Sequence, residues 1–229
     1  MTVVNIRDIR RTLPASRQAI SKVEAAIKQA KGQALVLIHP CFSRHEIYSP
    51  STSFDQEEEE MQLVRQVIAT QVQELAYKHY LQRVNNRIAR MPLPLFLFIE
   101  NARLIRPSGL EETVSELLPL PEATVIIPTW CRCPAPLWEE PEAEYGSLTQ
   151  QKADWKILVG LLREIGITKL SLFGELGYMF NREHIGCVYD AEEQLGEHFK
   201  VEVNKPLVFP EIDLTRAMIN FLNRNRCWG

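Results

Sequence analysis

The chain has 229 residues, of which 45% are apolar, and its 26 lysine and arginine residues nearly balance its 29 acidic residues. A net charge of -3 gives no electrostatic reason to expect a nucleic acid or an anionic membrane as a partner. The longest apolar runs have the length of a strand, far short of the ~20 residues that span a bilayer. We therefore expect a single globular domain over residues 1–229, with no nucleic-acid or membrane partner.

The cysteine content indicates a reducing environment. The first residues, Met1 to Asp8, lack a basic region followed by an apolar core, so we expect no secretory signal and assign the chain to the cytoplasm. The five cysteines, an odd number, are then predicted to be thiols and not a disulfide framework.

Short apolar runs alternate with segments of helical periodicity along most of the chain. Runs of this length that are apolar throughout are typical of parallel strands buried on both faces. The pattern predicts an α/β fold, a Rossmann-like three-layer α/β/α sandwich around a mainly parallel sheet of five or six strands. The predicted strands are 35–38, 95–100, 124–127, 169–174 and 200–203, with 207–209 as a sixth at the edge. The predicted helices are 16–31, 53–75 with a continuation to 88, 110–118, 153–165, 185–195 and 213–224.

Reactive side chains follow several of these strands. In open α/β sheets the ligand site lies outside the carboxyl ends of the strands, so these side chains are the candidates for a site. Glu100 and Glu175 each end a strand and are candidate acids, bases or anchors for a ligand hydroxyl or amine. Both carboxylates could instead accept hydrogen bonds from nearby loop amides. Candidate ligand-binding residues are His39, Cys41, Asn101, Trp130 and Cys131, and we expect His39, Glu100, Trp130 and Glu175 to line one pocket.

Two short motifs contain metal-binding residue types. His39-Pro40-Cys41 and Cys131-Arg132-Cys133 each place two soft ligands one residue apart, so that in extended backbone both side chains of a pair face the same way. His39, Cys41, Cys131 and Cys133 are therefore candidate ligands for zinc or another divalent metal. The alternative is that the thiols pack as small apolar groups.

The segment from Pro128 to Gly146 contains four prolines and two tryptophans, Trp130 and Trp138, and is predicted to be a long irregular loop. Loops of this length are often lids or binding loops, and exposed aromatic residues also serve subunit contacts. A homo-oligomer is therefore kept as an alternative to a ligand lid.

Motifs of three common enzyme classes are missing from the sequence. A dinucleotide-binding G-x-G-x-x-G that opens a helix, a phosphate-binding G-x-x-x-x-G-K-[ST] and a nucleophilic G-x-S-x-G do not occur. Cys187 instead is predicted to lie at a helix N-terminus, where the helix dipole favours the thiolate. Neighbouring apolar residues favour burial, so we expect Cys187 to be less reactive than Cys131 and Cys133.

Residues 158–204 resemble the late segment of isochorismatase-like hydrolases, a group that includes nicotinamidases. The resemblance rests on Leu162, Gly166-Ile167, Leu170 and Gly174, then Gly186-Cys187-Val188, Leu195-Gly196, Val201 and Val203. It implies a hydrolase with Cys187 as the nucleophile at the start of a helix. His39-Pro40-Cys41 stands where the family has its catalytic aspartate, and no lysine matches the family's catalytic lysine.

Two functions follow from these observations. The first is a small-molecule-binding enzyme, with a hydrolase as the first choice and Glu100, Glu175 and Cys187 as candidate catalytic residues. The second is a non-catalytic binding or assembly protein that uses the same α/β scaffold, an alternative that the missing catalytic motifs favour.

Overall fold

A computed structural model describes residues 2–11, 17–40, 59–91, 93–100, 117, 120–130, 134–139, 147–175 and 187–209. For residues 2, 3, 10, 11, 59–73 and 100 it describes the backbone alone. The strands are β1 (Thr2–Asn5), β2 (Gln33–Ile38), β3 (Leu95–Glu100), β4 (Ala123–Thr129), β5 (Lys169–Glu175) and β6 (Lys200–Phe209). The helices are α1 (Ile6–Arg11), α2 (Arg17–Gln29), α3 (Glu59–Arg90), α4 (Leu148–Glu164) and α5 (Cys187–Gly196).

The strands form one six-stranded sheet in the order β1-β4-β3-β2-β5-β6, and every neighbouring pair is parallel. This confirms the predicted Rossmann-like α/β fold. The central strands are apolar throughout because both of their faces are covered, as in other parallel sheets. No helix in the described part of the chain is long and apolar enough to cross a membrane.

Successive residues of β2 divide the core into two halves. Val36 and Ile38 pack in the cluster that includes residues of α2, α4 and α5, whereas Leu35 and Leu37 pack in the cluster that includes residues of α3. Side chains alternate between the faces of a strand, so the two clusters lie on opposite faces of the sheet. The helices therefore form one layer on each side, as predicted.

The sixth strand differs from the expected one. It is Thr2–Asn5, which pairs with β4 along its whole length, from Thr2 opposite Ala123 to Asn5 opposite Ile126. A four-residue segment with two polar ends has almost no periodicity of its own, and only the pairing partner makes it a strand. Residues 207–209 instead extend β6, beyond a register irregularity opposite Leu172 and Gly174.

The helix boundaries follow local capping. Helix α4 begins five residues before the predicted start of 153, because Ser147 caps it by accepting a hydrogen bond from the Gln150 amide at 3.2 Å. Helix α2 stops where Lys31 and Gly32 take positive φ angles of 54° and 74°. The predicted helices at 110–118, apart from Leu117, and at 213–224 lie outside the described residues.

Gly174 marks a very close approach between β2 and β5. Its φ is 141°, and a Cβ atom at this position would overlap the Ile38 carbonyl oxygen and lie 2.6 Å from the Ile38 amide nitrogen. Backbone and not a flexible side chain occupies that space, so neither partner can move aside without shifting a central strand. Only glycine fits this geometry without strain.

We predict that Gly174→Ala lowers the free energy of unfolding by at least ~2 kcal/mol, because the new methyl group meets the β2 backbone at a φ that alanine rarely adopts. Gly160→Ala is the matched control, since a Cβ there meets nothing within 4 Å inside α4. That control should be stabilised by up to ~1 kcal/mol through helix propensity. Urea denaturation followed by circular dichroism measures both, and equal stability of the two variants would contradict the close approach.

Candidate functional site

The order of the strands reverses between β2 and β5. After β2 the chain proceeds through α3 to β3 on one side, and after β4 it returns through α4 to β5 on the other side of β2. Helix α3 packs on one face of the sheet and α5 packs on the opposite face. Strands β2 and β5 are therefore followed in the chain by helices on opposite faces of the sheet, and in open α/β sheets ligands bind outside the carboxyl edge at such a switch point.

Two polar residues lie at this switch point. His39 directly follows β2 and Glu175 ends β5, and the register that pairs Ile38 with Gly174 makes them neighbours along the edge. Both predicted site residues are thus at the same end of the sheet. His39 is 2% exposed and Glu175 is fully buried.

A left-handed backbone sets the direction of His39. Its φ is 46°, its amide donates to the Phe98 carbonyl oxygen at 2.9 Å, and its Nε2 lies 3.0 Å from the Thr129 Oγ1 at the end of β4. Thr129 has the same strand parity as Val125 and Ile127, whose side chains are on the α4 face. The imidazole therefore reaches past the end of β3 toward the α4 side of the sheet.

Glu175 has its partners on the α3 side. The Tyr77 hydroxyl of α3 donates to the Glu175 Oε1 at 3.2 Å. The Tyr77 ring lies against Tyr80, with centroids 5.9 Å apart, and against Phe209, with centroids 5.4 Å apart. A carboxylate without hydrogen bonds in such an aromatic environment would be strongly destabilising, so the hydroxyl of Tyr77 is one of the contacts that make the buried position tolerable.

Trp130 and Trp138 are held by one acidic residue of α4. The Trp130 Nε1 donates to the Asp154 Oδ2 at 3.1 Å, and the Trp138 Nε1 donates to the Asp154 carbonyl oxygen at 3.0 Å. The side-chain Nε2 of Gln150 donates to the other carboxylate oxygen, Oδ1, at 3.0 Å. Asp154 is 2% exposed. Both indole N–H groups are therefore used within the protein.

The described residues of the predicted lid, 128–130 and 134–139, fold back on β4. The Trp130 amide donates to the Ala135 carbonyl oxygen at 3.1 Å, and the Leu137 amide donates to the Pro128 carbonyl oxygen at 2.7 Å. The Arg7 guanidinium of α1 also donates to the Leu137 carbonyl oxygen at 2.9 Å. These bonds hold Trp130, Ala135 and Leu137 next to the carboxyl end of β4.

Cys187 is the first residue of α5, as predicted, and it is 3% exposed. It belongs to the same apolar cluster as Val188, Ala191 and Leu195. Two residues further on, burial raises the pKa of the Tyr189 phenol, and the Glu192 carboxylate raises it further. The phenol therefore stays neutral at physiological pH.

For several residues of the predicted site the structure describes no side chain. The backbone of Glu100 is opposite Thr129 in the sheet, but Cys41, Asn101, Cys131 and Cys133 lie outside the described residues. Among the residues that the structure describes, no three His, Cys, Asp or Glu side chains form a group that could hold a metal ion. The zinc or divalent-metal site is thus untested.

Three partners of the candidate site residues, Thr129, Tyr77 and Asp154, were not predicted from the sequence. An acid between Ala153 and Trp155 in a predicted helix was a usable signal for Asp154, because a buried acid needs hydrogen-bond donors. Thr129 directly precedes Trp130 at the end of a strand, which is a weaker signal. Tyr77 had none, because its role depends on the position of α3 against β5.

No protein-family model, curated protein or solved structure matches this chain. The resemblance of residues 158–204 to isochorismatase-like hydrolases therefore stays a prediction.

We predict that Asp154→Ala lowers the free energy of unfolding by ~1–3 kcal/mol, because the Trp130 indole N–H loses its acceptor in a buried place. Asp154→Asn keeps one acceptor oxygen and should cost less. Glu164→Ala, at an exposed position of the same helix, should change stability by less than ~0.5 kcal/mol. Thermal denaturation with tryptophan fluorescence measures all three, and an Asp154→Ala variant as stable as the Glu164→Ala control would contradict the anchoring role.

We predict that N-ethylmaleimide modifies Cys187 at least ~100-fold more slowly in the native protein than in guanidinium chloride, because a residue this buried reacts only after local opening. Timed alkylation with mass-spectrometric mapping follows each cysteine separately. Cys131 and Cys133 should react before Cys187. The reverse order would reject burial as the controlling factor and favour a reactive thiol at the helix N-terminus.

Proposed function

We propose that this chain binds a small molecule at the carboxyl edge of its sheet, at the switch point between β2 and β5. The observation that carries the proposal is the reversal of strand order between these two strands, with His39 and Glu175 at adjacent edge positions. The proposal includes a cytoplasmic location, where a free thiol such as the buried Cys187 stays reduced.

The two residues differ in what they offer a ligand. Glu175 is held on the α3 side and its carboxylate oxygens accept hydrogen bonds, so it suits an N–H or O–H group. The imidazole of His39 is held on the α4 side, where it donates or accepts according to its tautomer. A polar molecule with a donor at one end fits this pair better than an apolar one.

Hydrolysis is the second candidate function. The observation in its favour is the 3.0 Å distance between the His39 Nε2 and the Thr129 Oγ1, which is the reach of a general base to a hydroxyl nucleophile. In such a reaction His39 takes the hydroxyl proton while the Thr129 oxygen attacks the acyl carbon of an ester. The bond from that carbon to the leaving alcohol then breaks as His39 returns the proton to the alcohol oxygen, and water hydrolyses the acyl-enzyme by the same steps. Full burial of Thr129 supports the alternative, a hydrogen bond that only orients the imidazole.

A thermal-shift screen with nucleotides, amino acids and sugar phosphates tests the binding proposal. For a compound that raises the melting temperature, Glu175→Gln should weaken binding about tenfold, or ~1.4 kcal/mol, since a charged acceptor becomes a neutral one. The fold should persist, because a glutamine oxygen still accepts the Tyr77 hydroxyl. Glu193→Gln, exposed on α5, is the control and should bind like the parent protein. Ligands that bind Glu175→Gln and the parent equally would place the site elsewhere.

The hydrolase candidate is tested by the turnover of an activated ester, measured for the parent protein and for the variants Thr129→Ser, Thr129→Val and His39→Gln. Retained turnover in Thr129→Ser and its loss in the other two would support a hydroxyl nucleophile. Equal turnover in the parent protein and in all three variants would reject it.

A further inference from the structure

We propose that the outer edge of β6 pairs antiparallel with β6 of a second copy of this chain, around a two-fold axis at Val201. Strand β6 ends the sheet, and in the described part of the molecule it pairs with β5 alone. Such an edge offers a row of main-chain donors and acceptors to another strand. This inference concerns assembly and does not depend on the proposed ligand site.

The direction of the main-chain groups selects the register. The Lys200 amide donates inward, to the Thr168 carbonyl oxygen at 3.1 Å. Main-chain groups alternate in direction along a strand, so those of Glu202 also point toward β5 while those of Val201 and Val203 point outward. In the regular part of β6, residues 200–203, the axis of a symmetric antiparallel pair can lie at an outward-facing residue, whose two copies exchange hydrogen bonds, or at an inward-facing one, whose two copies face each other without them. An axis at Lys200 or Glu202 would place like charges directly opposite one another, which is destabilising. Val201 and Val203 remain as choices.

Charge then favours Val201. With the axis at Val201, the two copies of Val201 exchange both hydrogen bonds, and Lys200 of each chain stands opposite Glu202 of the other. With the axis at Val203, Lys200 would stand opposite Pro206 and Glu202 opposite Asn204, so no opposite charges would meet. Only the first register pairs charges of opposite sign.

The side chains suit this arrangement. Lys200 is exposed, and the Glu202 side chain is 65% exposed while its Oε2 lies 3.2 Å from the Lys169 Nζ of β5. In the dimer the Glu202 carboxylate would lie between Lys169 of its own chain and Lys200 of the second copy. Val201 and Val203 are partly buried against the core on the α5 face, which the second copy would extend. With the axis at Val201, residues beyond Glu202 stand opposite residues that precede β6, so the pairing is limited to the first part of the strand.

Sedimentation velocity of the full chain over a range of concentrations tests the proposal. The parent protein should form dimers, and Lys200→Glu or Glu202→Lys alone should weaken dimerisation at least tenfold, because each places like charges opposite one another. The double variant K200E/E202K should regain dimers. An equimolar mixture of the two single variants should form heterodimers, since a carboxylate of one variant then stands opposite a lysine of the other in both pairs. Lys205→Glu, outside the paired segment, should behave like the parent.

Val201→Pro provides an independent test, because it removes the outward amide at the axis and leaves the inward bonds of β6 to β5 in place. It should be monomeric, with its helix content checked by circular dichroism. If that variant does not fold, the charge-exchange series decides alone. A parent protein that stays monomeric at every concentration overturns the proposal, and so do dimers that are indifferent to the charge changes.

Discussion

The backbone contact between β2 and β5 at Ile38 and Gly174 determines the geometry of the candidate site. These are the central strands on either side of the point where the strand order reverses, and the missing side chain of Gly174 lets their backbones approach closely. The residues that follow, His39 and Glu175, consequently occupy adjacent positions at the edge. A larger residue at 174 would separate the strands and with them the two polar groups.

Although His39 and Glu175 occupy adjacent positions, their side chains lie on opposite faces of the sheet. The left-handed φ of His39 sends its imidazole to Thr129 on the α4 side, while the regular alternation of β5 leaves Glu175 with Tyr77 on the α3 side. The same division holds for the helices that follow the two strands, since α3 and α5 lie on opposite faces of the sheet.

The described part of the predicted lid after β4 is bound to the helices α1 and α4. Trp130 and Trp138 are buried and both donate to Asp154, and Arg7 ties the same segment to α1. Asp154 thereby accepts hydrogen bonds from both buried indole N–H groups, and the side chain of Gln150, one turn earlier in α4, donates to its carboxylate. These bonds hold Trp130 and Trp138 against α4.

The sequence by itself determined the α/β class, the parallel sheet, most strand positions and the edge at which the candidate residues lie. Apolar runs and helical spacings are local signals, and parallel strands necessarily bring their carboxyl ends to one edge. Only the tertiary structure decided that Thr2–Asn5 is a strand, that residues 207–209 continue β6, and which partners His39, Glu175 and Asp154 take. These features depend on contacts between residues far apart in the chain, such as His39 with Thr129 and Tyr77 with Glu175, and local periodicity carries no information about such distances.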